Sequence, residues 1–144
     1  MLPPALPSET VHATCVAIAK RGLLIMGPAG SGKSTIGLAL MALGAKLVSD
    51  DRTILINRAG VLVARCPAAI RGLIEARGVG LLRVETRASA RIALVVDLAR
   101  TETDRLPPRR YTTLCGVTCD LVLGQISPHF PTVLLALMMG GRQA

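Results

Sequence analysis

The chain has 144 residues, a net charge of +8 and 51% hydrophobic residues, yet it holds one Tyr, one Phe and no Trp. That is the length of one domain with an aliphatic core, and the composition excludes intrinsic disorder. The charge favours an anionic ligand or an acidic protein partner. Nucleic acid is the poorer match, because the Arg residues are spread along the chain and only Tyr111 and Phe130 could stack on bases.

In chain order, residues 1–10 read as a flexible lead-in, with Pro3, Pro4 and Pro7 and no periodicity, and 11–144 as the folded domain. Residues 11–19 alternate and are β-rich; with Lys20-Arg21-Gly22 as a turn they predict a hairpin with 23–26. A helix follows over 34–43 and stops at Gly44, and a short strand over 46–49 runs into Asp50-Asp51. Residues 53–57 and 61–64 flank Arg58-Ala59-Gly60 as a second hairpin. Residues 67–70 read as a helical turn, 71–80 as a charged segment punctuated by glycine, and 81–84 and 92–97 as strands, the latter closing on Asp97. Residues 100–110 read as a mobile surface loop, 111–114 and 120–123 as late strands, and 131–139 as a terminal helix ended by Gly140-Gly141. The apolar run 133–139 is too short to span a bilayer. The start of the chain lacks the layout of a secretory signal, so Cys15, Cys66, Cys115 and Cys119 read as buried thiols of a cytoplasmic protein.

Between the first hairpin and the first helix stands Gly27-Pro28-Ala29-Gly30-Ser31-Gly32-Lys33-Ser34-Thr35, which meets the pattern GxxxxGK[ST] at every required position. Glycines let the backbone bring its N–H groups up to phosphate oxygens, and the helix that follows adds the positive end of its dipole. Lys33 is placed to neutralise the β and γ phosphates, and the Ser34 hydroxyl to ligate a magnesium ion between them. The ligands expected are therefore a nucleotide and Mg2+. Such a loop works with an acid at a strand end. Asp97 after its apolar strand and the Asp50-Asp51 pair after a shorter one both qualify, and residue chemistry leaves the two options open.

The phosphate loop, then Leu47-Val48-Ser49-Asp50-Asp51-Arg52, then Ile70 to Gly80 with its Glu75-Ala76-Arg77-Gly78-Val79-Gly80, resembles the catalytic C-terminal domain of bacterial HPr kinase/phosphorylase over residues 11–139. The resemblance implies an α/β domain around a mixed sheet, of the phosphate-loop, PEP-carboxykinase-like type. It implies a kinase that regulates the phosphotransferase system by moving phosphate from ATP to a serine of the phosphocarrier protein HPr, and a hexameric assembly. Residue by residue it implies catalytic roles for His12, Lys33, Asp50, Asp51 and Arg105, with one of the acidic pair as proton acceptor, and magnesium sites at Ser34 and Glu75. Asp97 is then structural. The chain departs from the family in having Thr35 where Glu is usual, and in being a short form without the amino-terminal domain. It also has Ser127-Pro128-His129-Phe130-Pro131 where the family has Arg-Pro-Gly-Arg-Asn. Loss of both arginines implies a kinase with reduced or absent phosphorylase activity. The rival readings are a small-metabolite kinase and a non-catalytic nucleotide-sensing module.

Overall fold

A computed structural model describes residues 6–144. Residues 1–5 of the expected lead-in lie outside the described residues.

Strands β1 (Ser8–Ile18) and β2 (Arg21–Met26) form the first hairpin, with Ile18 opposite Arg21. The turn is therefore Ala19-Lys20, one step earlier than expected, and Ala19 adopts φ 57 to make it. Helix α1 (Lys33–Ala42) ends where Gly44, at φ 107, turns the chain. The Gly44 amide donates to the Met41 carbonyl and the Ala45 amide to the Leu40 carbonyl, which is the bonding of a Schellman end.

Strands β3 (Lys46–Ser49) and β4 (Arg52–Arg58) both run antiparallel to β1. Leu47 and Ser49 face Val16 and Cys15, then Arg52 and Thr53 face His12 and Val11. The two are one line of chain along β1, broken at Asp50-Asp51. β1 starts at Ser8 rather than Val11 because Ser8, Glu9 and Thr10 still find partners on β4. Strand β5 (Val61–Arg65) returns through Ala59-Gly60, whose φ values of 51 and 84 are the paired left-handed conformations of a type I′ turn.

After a 3-10 turn over Ala68–Ile70, β6 (Leu73–Ala76) and β7 (Gly80–Arg83) make a separate two-stranded sheet. The glycine-punctuated segment is thus half strand. Ile74, fully buried, plugs this small sheet into the core beneath α1. Strand β8 (Ser89–Thr101) is longer than the expected 92–97 because its ends serve different neighbours, β5 at Ser89 to Arg91 and β10 at Thr101. β9 (Arg110–Leu114), β10 (Val117–Gly124) and α2 (Phe130–Gly140) complete the domain.

β8 lies parallel to β2 and to β10, while the other pairings are antiparallel, so the sheet is mixed. The path β2, β1, β4, β5, β8 returns to β2, and these strands close into a ring. Alternation sends Cys15, Ala17, Leu24 and Val95 to one core cluster, and Val16, Leu23, Ile25, Leu94 and Val96 to the other, beneath the helices. Phe130, Leu134 and Met138 recur every fourth residue of α2 and fill that second cluster. Cys15, Cys66 and Cys119 are buried as expected; burial pushes the Cys15 thiol far up, whereas Cys115 sits half-buried in a left-handed turn position at φ 49. Among the described residues no helix is long and apolar enough to cross a membrane.

Residues 102–109 join β8 to β9, and their mouth is clamped by a fork. Arg110 Nε donates to Glu102 Oε1 at 2.9 Å and Nη2 to Oε2 at 3.0 Å, while the Thr103 and Asp104 amides also donate to Oε2. The Arg110 hydrogen bonds hold the Glu102 carboxyl below the usual glutamate value. A carboxyl more acidic in the fold adds stability above its unfolded pKa, and this is lost as pH falls through the folded value. We expect Glu102→Gln to lower Tm at neutral pH and to flatten the fall of Tm on the acid side of the glutamate range. Matching wild-type and variant curves of Tm against pH would show that the clamp holds nothing.

Candidate active site

The phosphate-loop stretch leaves β2 at Gly27, whose φ of 158 lets the chain turn tightly under Ser31 and Leu98. A β-carbon there would stand 2.6 Å from Ser31 Oγ and 3.0 Å from Leu98 Cβ, so only glycine fits. Gly30 and Gly32, at φ 80 and 98, face open space instead. The Ser31 amide donates to the Pro28 carbonyl at 3.1 Å, closing the loop before α1 begins at Lys33.

Lys33 is buried, and its Nζ donates to the carbonyls of Gly27 at 2.8 Å and Pro28 at 2.9 Å. Burial lowers its proton affinity, opposed by the nearby charges of Asp51 and Asp50. An anion in the loop would favour the charged form.

The two acids, adjacent in sequence, have different surroundings. Asp50 is buried and fully engaged: Oδ1 accepts from Ser34 Oγ and Thr14 Oγ1, each at 2.7 Å, and Oδ2 accepts from the Glu75 amide at 3.0 Å. Asp51 adopts the left-handed φ of 68, which swings its side chain out, and its carboxylate is 65% exposed. His12 Nε2 lies 2.8 Å from Asp51 Oδ1. The pair meets because β1 runs past the break between β3 and β4: the Ala13 amide donates to the Asp51 carbonyl at 3.0 Å, and His12 is the neighbouring residue.

A cavity of about 180 Å³ is lined by Gly30, Gly32, Lys33 and Ser34 of the loop, by His12 and Asp51, and by Glu75 and Arg77; Asp50 does not line it. Thr35 and Ala29 also line it. Ser34 gives its proton to Asp50, so the oxygen lone pairs remain for a cation, and Glu75 is the hard oxygen donor that magnesium takes. These residues fit a magnesium ion that draws its other ligands from phosphate and water. Among the described residues no group of three or more His, Cys, Asp or Glu side chains could cage a metal ion.

Arg105, exposed on the 102–109 loop, does not line the cavity. Asp97 does not line it either; its carboxylate accepts locally, from the Ala99 amide at 2.9 Å and from Arg100 Nε at 3.1 Å. Two contributors were not singled out from the sequence. Arg77 stands just past the end of β6, in the turn to β7, and is brought to the cavity by that turn, which the sequence does not announce. Thr14, a polar residue in the buried stretch of β1, carried no signal without knowledge of what it faces.

A family model described as the HPr Serine kinase C-terminal domain matches residues 5–123. The HPr kinase/phosphorylase of Cupriavidus necator is 35% identical over 133 residues, covering 84% of this chain and 41% of that protein. The HPr kinase/phosphorylase of Bordetella pertussis is 37% identical over 134 residues, covering 84% of this chain and 44% of that one. The chain therefore spans less than half the length of these curated relatives. A solved structure described as the Hpr(Ser) kinase/phosphatase from Coxiella burnetii has the same fold, with a TM-score of 0.77 at 26% identity over 90% of this chain and 93% of that chain.

Proposed function

We propose a function from one premise: the chain belongs to the HPr serine kinase C-terminal domain family. We infer that it is an ATP- and magnesium-dependent protein kinase of the cytoplasm whose acceptor is a serine of an HPr-like phosphocarrier protein. The observation that carries this reading is Asp51: an exposed carboxylate, held by His12, lining the same cavity as the phosphate loop.

In this reading the loop amides and Lys33 would bind the β and γ phosphates, and Ser34 and Glu75 would hold a magnesium ion. A bound ion would supply positive charge against the phosphates. Asp51 accepts the proton of the acceptor hydroxyl as the serine oxygen bonds to the γ phosphorus; the bond from that phosphorus to the β–γ bridging oxygen breaks, and ADP leaves. His12 fixes the direction of the Asp51 carboxylate. Asp50, with three donors already on its two oxygens, has no role left for a substrate proton and serves instead to orient Ser34. The acidic pair is thus divided into a base and a positioning residue. Arg105 takes part only if the 102–109 loop moves towards the cavity.

The reverse reaction requires inorganic phosphate beside phosphoserine and nucleotide, a gathering of negative charge suited to arginine forks. The aligned segment ends instead in an exposed His129 at the start of α2 and a Phe130 buried in the core. The expected result is transfer of label from ATP to HPr with magnesium present, and little or no release of pyrophosphate and free HPr when phosphorylated HPr meets excess phosphate. No forward transfer would sink the kinase reading; release at a rate comparable to the forward one would sink the one-way reading alone.

A further inference from the structure

A second cavity, of about 160 Å³, lies between the start of β2, the strands β8 and β10, and the end of α2. It shares no residue with the first. Arg21, which lines it, opens β2, whereas the phosphate loop leaves the other end of that strand.

The lining holds the guanidinium groups of Arg21, Arg109, Arg110 and Arg142, against one carboxylate, Asp120. Arg110 is neutralised by Glu102. The others are held by backbone carbonyls, which fix a guanidinium without cancelling its charge. Arg21 Nη2 donates to the Met138 carbonyl, Arg109 Nη2 to the Arg142 carbonyl at 3.1 Å and Arg142 Nη2 to the Pro107 carbonyl; Arg142 Nε also donates to Ala144, the last residue of the sequence, whose carboxylate would offset part of its charge. Among the described residues no ion pair engages Arg21, Arg109 or Asp120. Capping the negative end of α2 accounts for Arg21. It does not account for Arg109 and Arg142, brought to the same cavity from the 102–109 loop and from beyond α2. A guanidinium has five N–H donors, and these use one or two each, so forked donors remain for a ligand.

We propose that this cavity is a binding site for a small anion carrying a phosphate or carboxylate group, separate from the candidate active site. Binding there would tighten the ties between Arg109, Arg142 and Pro107, and so would stiffen the loop that carries Arg105.

Inorganic phosphate is the probe, titrated against chloride at constant ionic strength and followed by NMR. The Nε–H signals of Arg21, Arg109, Arg110 and Arg142 report this cavity, and the Gly30 and Gly32 amides report the other. The expected result is a saturable shift of the arginine signals, with affinity lowered about tenfold or more by joint Arg109→Gln and Arg142→Gln substitution. Asp120→Asn keeps every arginine and should tighten binding. Arginine signals that do not move, a shift indifferent to the double substitution, or weaker binding in Asp120→Asn would each overturn the proposal.

Discussion

Asp51→Asn is expected to lower the rate of phosphoryl transfer to a serine acceptor by about 10²- to 10⁴-fold, the range that loss of a general base brings. Asparagine tolerates the left-handed backbone of this position and can still bond His12, so the fold and the cavity wall survive. What is lost is the ability to take a proton. Nucleotide affinity should change little, because the Asp51 side chain is exposed and holds none of the loop in place. The measurement is kcat for label transfer beside Kd for ATP. Asp97→Asn is the control; it removes the charge that pairs with Arg100, on a residue that does not line the cavity, and should leave most of the rate. A larger loss from Asp97→Asn than from Asp51→Asn would reassign the working acid.

Lys33→Ala is expected to weaken ATP binding by about tenfold to a hundredfold and to bring transfer below detection. Among the described residues Lys33 is the one buried cation, so no other buried side chain can replace its charge at the loop. Removing it also leaves the Gly27 and Pro28 carbonyls without their donor, which loosens the loop before any ligand arrives. Titration calorimetry with ATP and the transfer assay check the two effects separately. Wild-type affinity in this variant would remove the loop from the nucleotide site altogether.

The parts of this molecule legible in its sequence are those that few neighbouring residues decide. The loop from Gly27 to Thr35, the end of α1 at Gly44 and the I′ turn at Ala59-Gly60 each follow from local chemistry. β6 was not legible as a strand, because Gly72, Gly78 and Gly80 mark it as broken chain; they supply the positive φ values that let a short hairpin stand apart. The full extent of β8 was hidden too, since pairing with β5 and β10 sets it and no periodicity does. Within the site, Lys33, Ser34 and Glu75 could be named from motifs, but the division of labour between Asp50 and Asp51 could not. It arises from a kink between two strands that share one partner, and only the register along β1 shows which carboxylate turns inward.

The closed ring of strands also sets an order of assembly. β2 pairs with β1 through a two-residue turn, a fast local event, but its other edge is filled by β8, and Met26 meets Asp97 only after the intervening chain has folded over. The loop that follows Met26 is therefore among the last parts to be braced, because Leu98 packs against Gly27. As the chain emerges from a ribosome, the residues that name the phosphate site appear early, yet the site itself waits for a strand synthesised some seventy residues later. A partly made chain thus has the motif before it has the support of β8, and any nucleotide binding at the loop would wait for that strand.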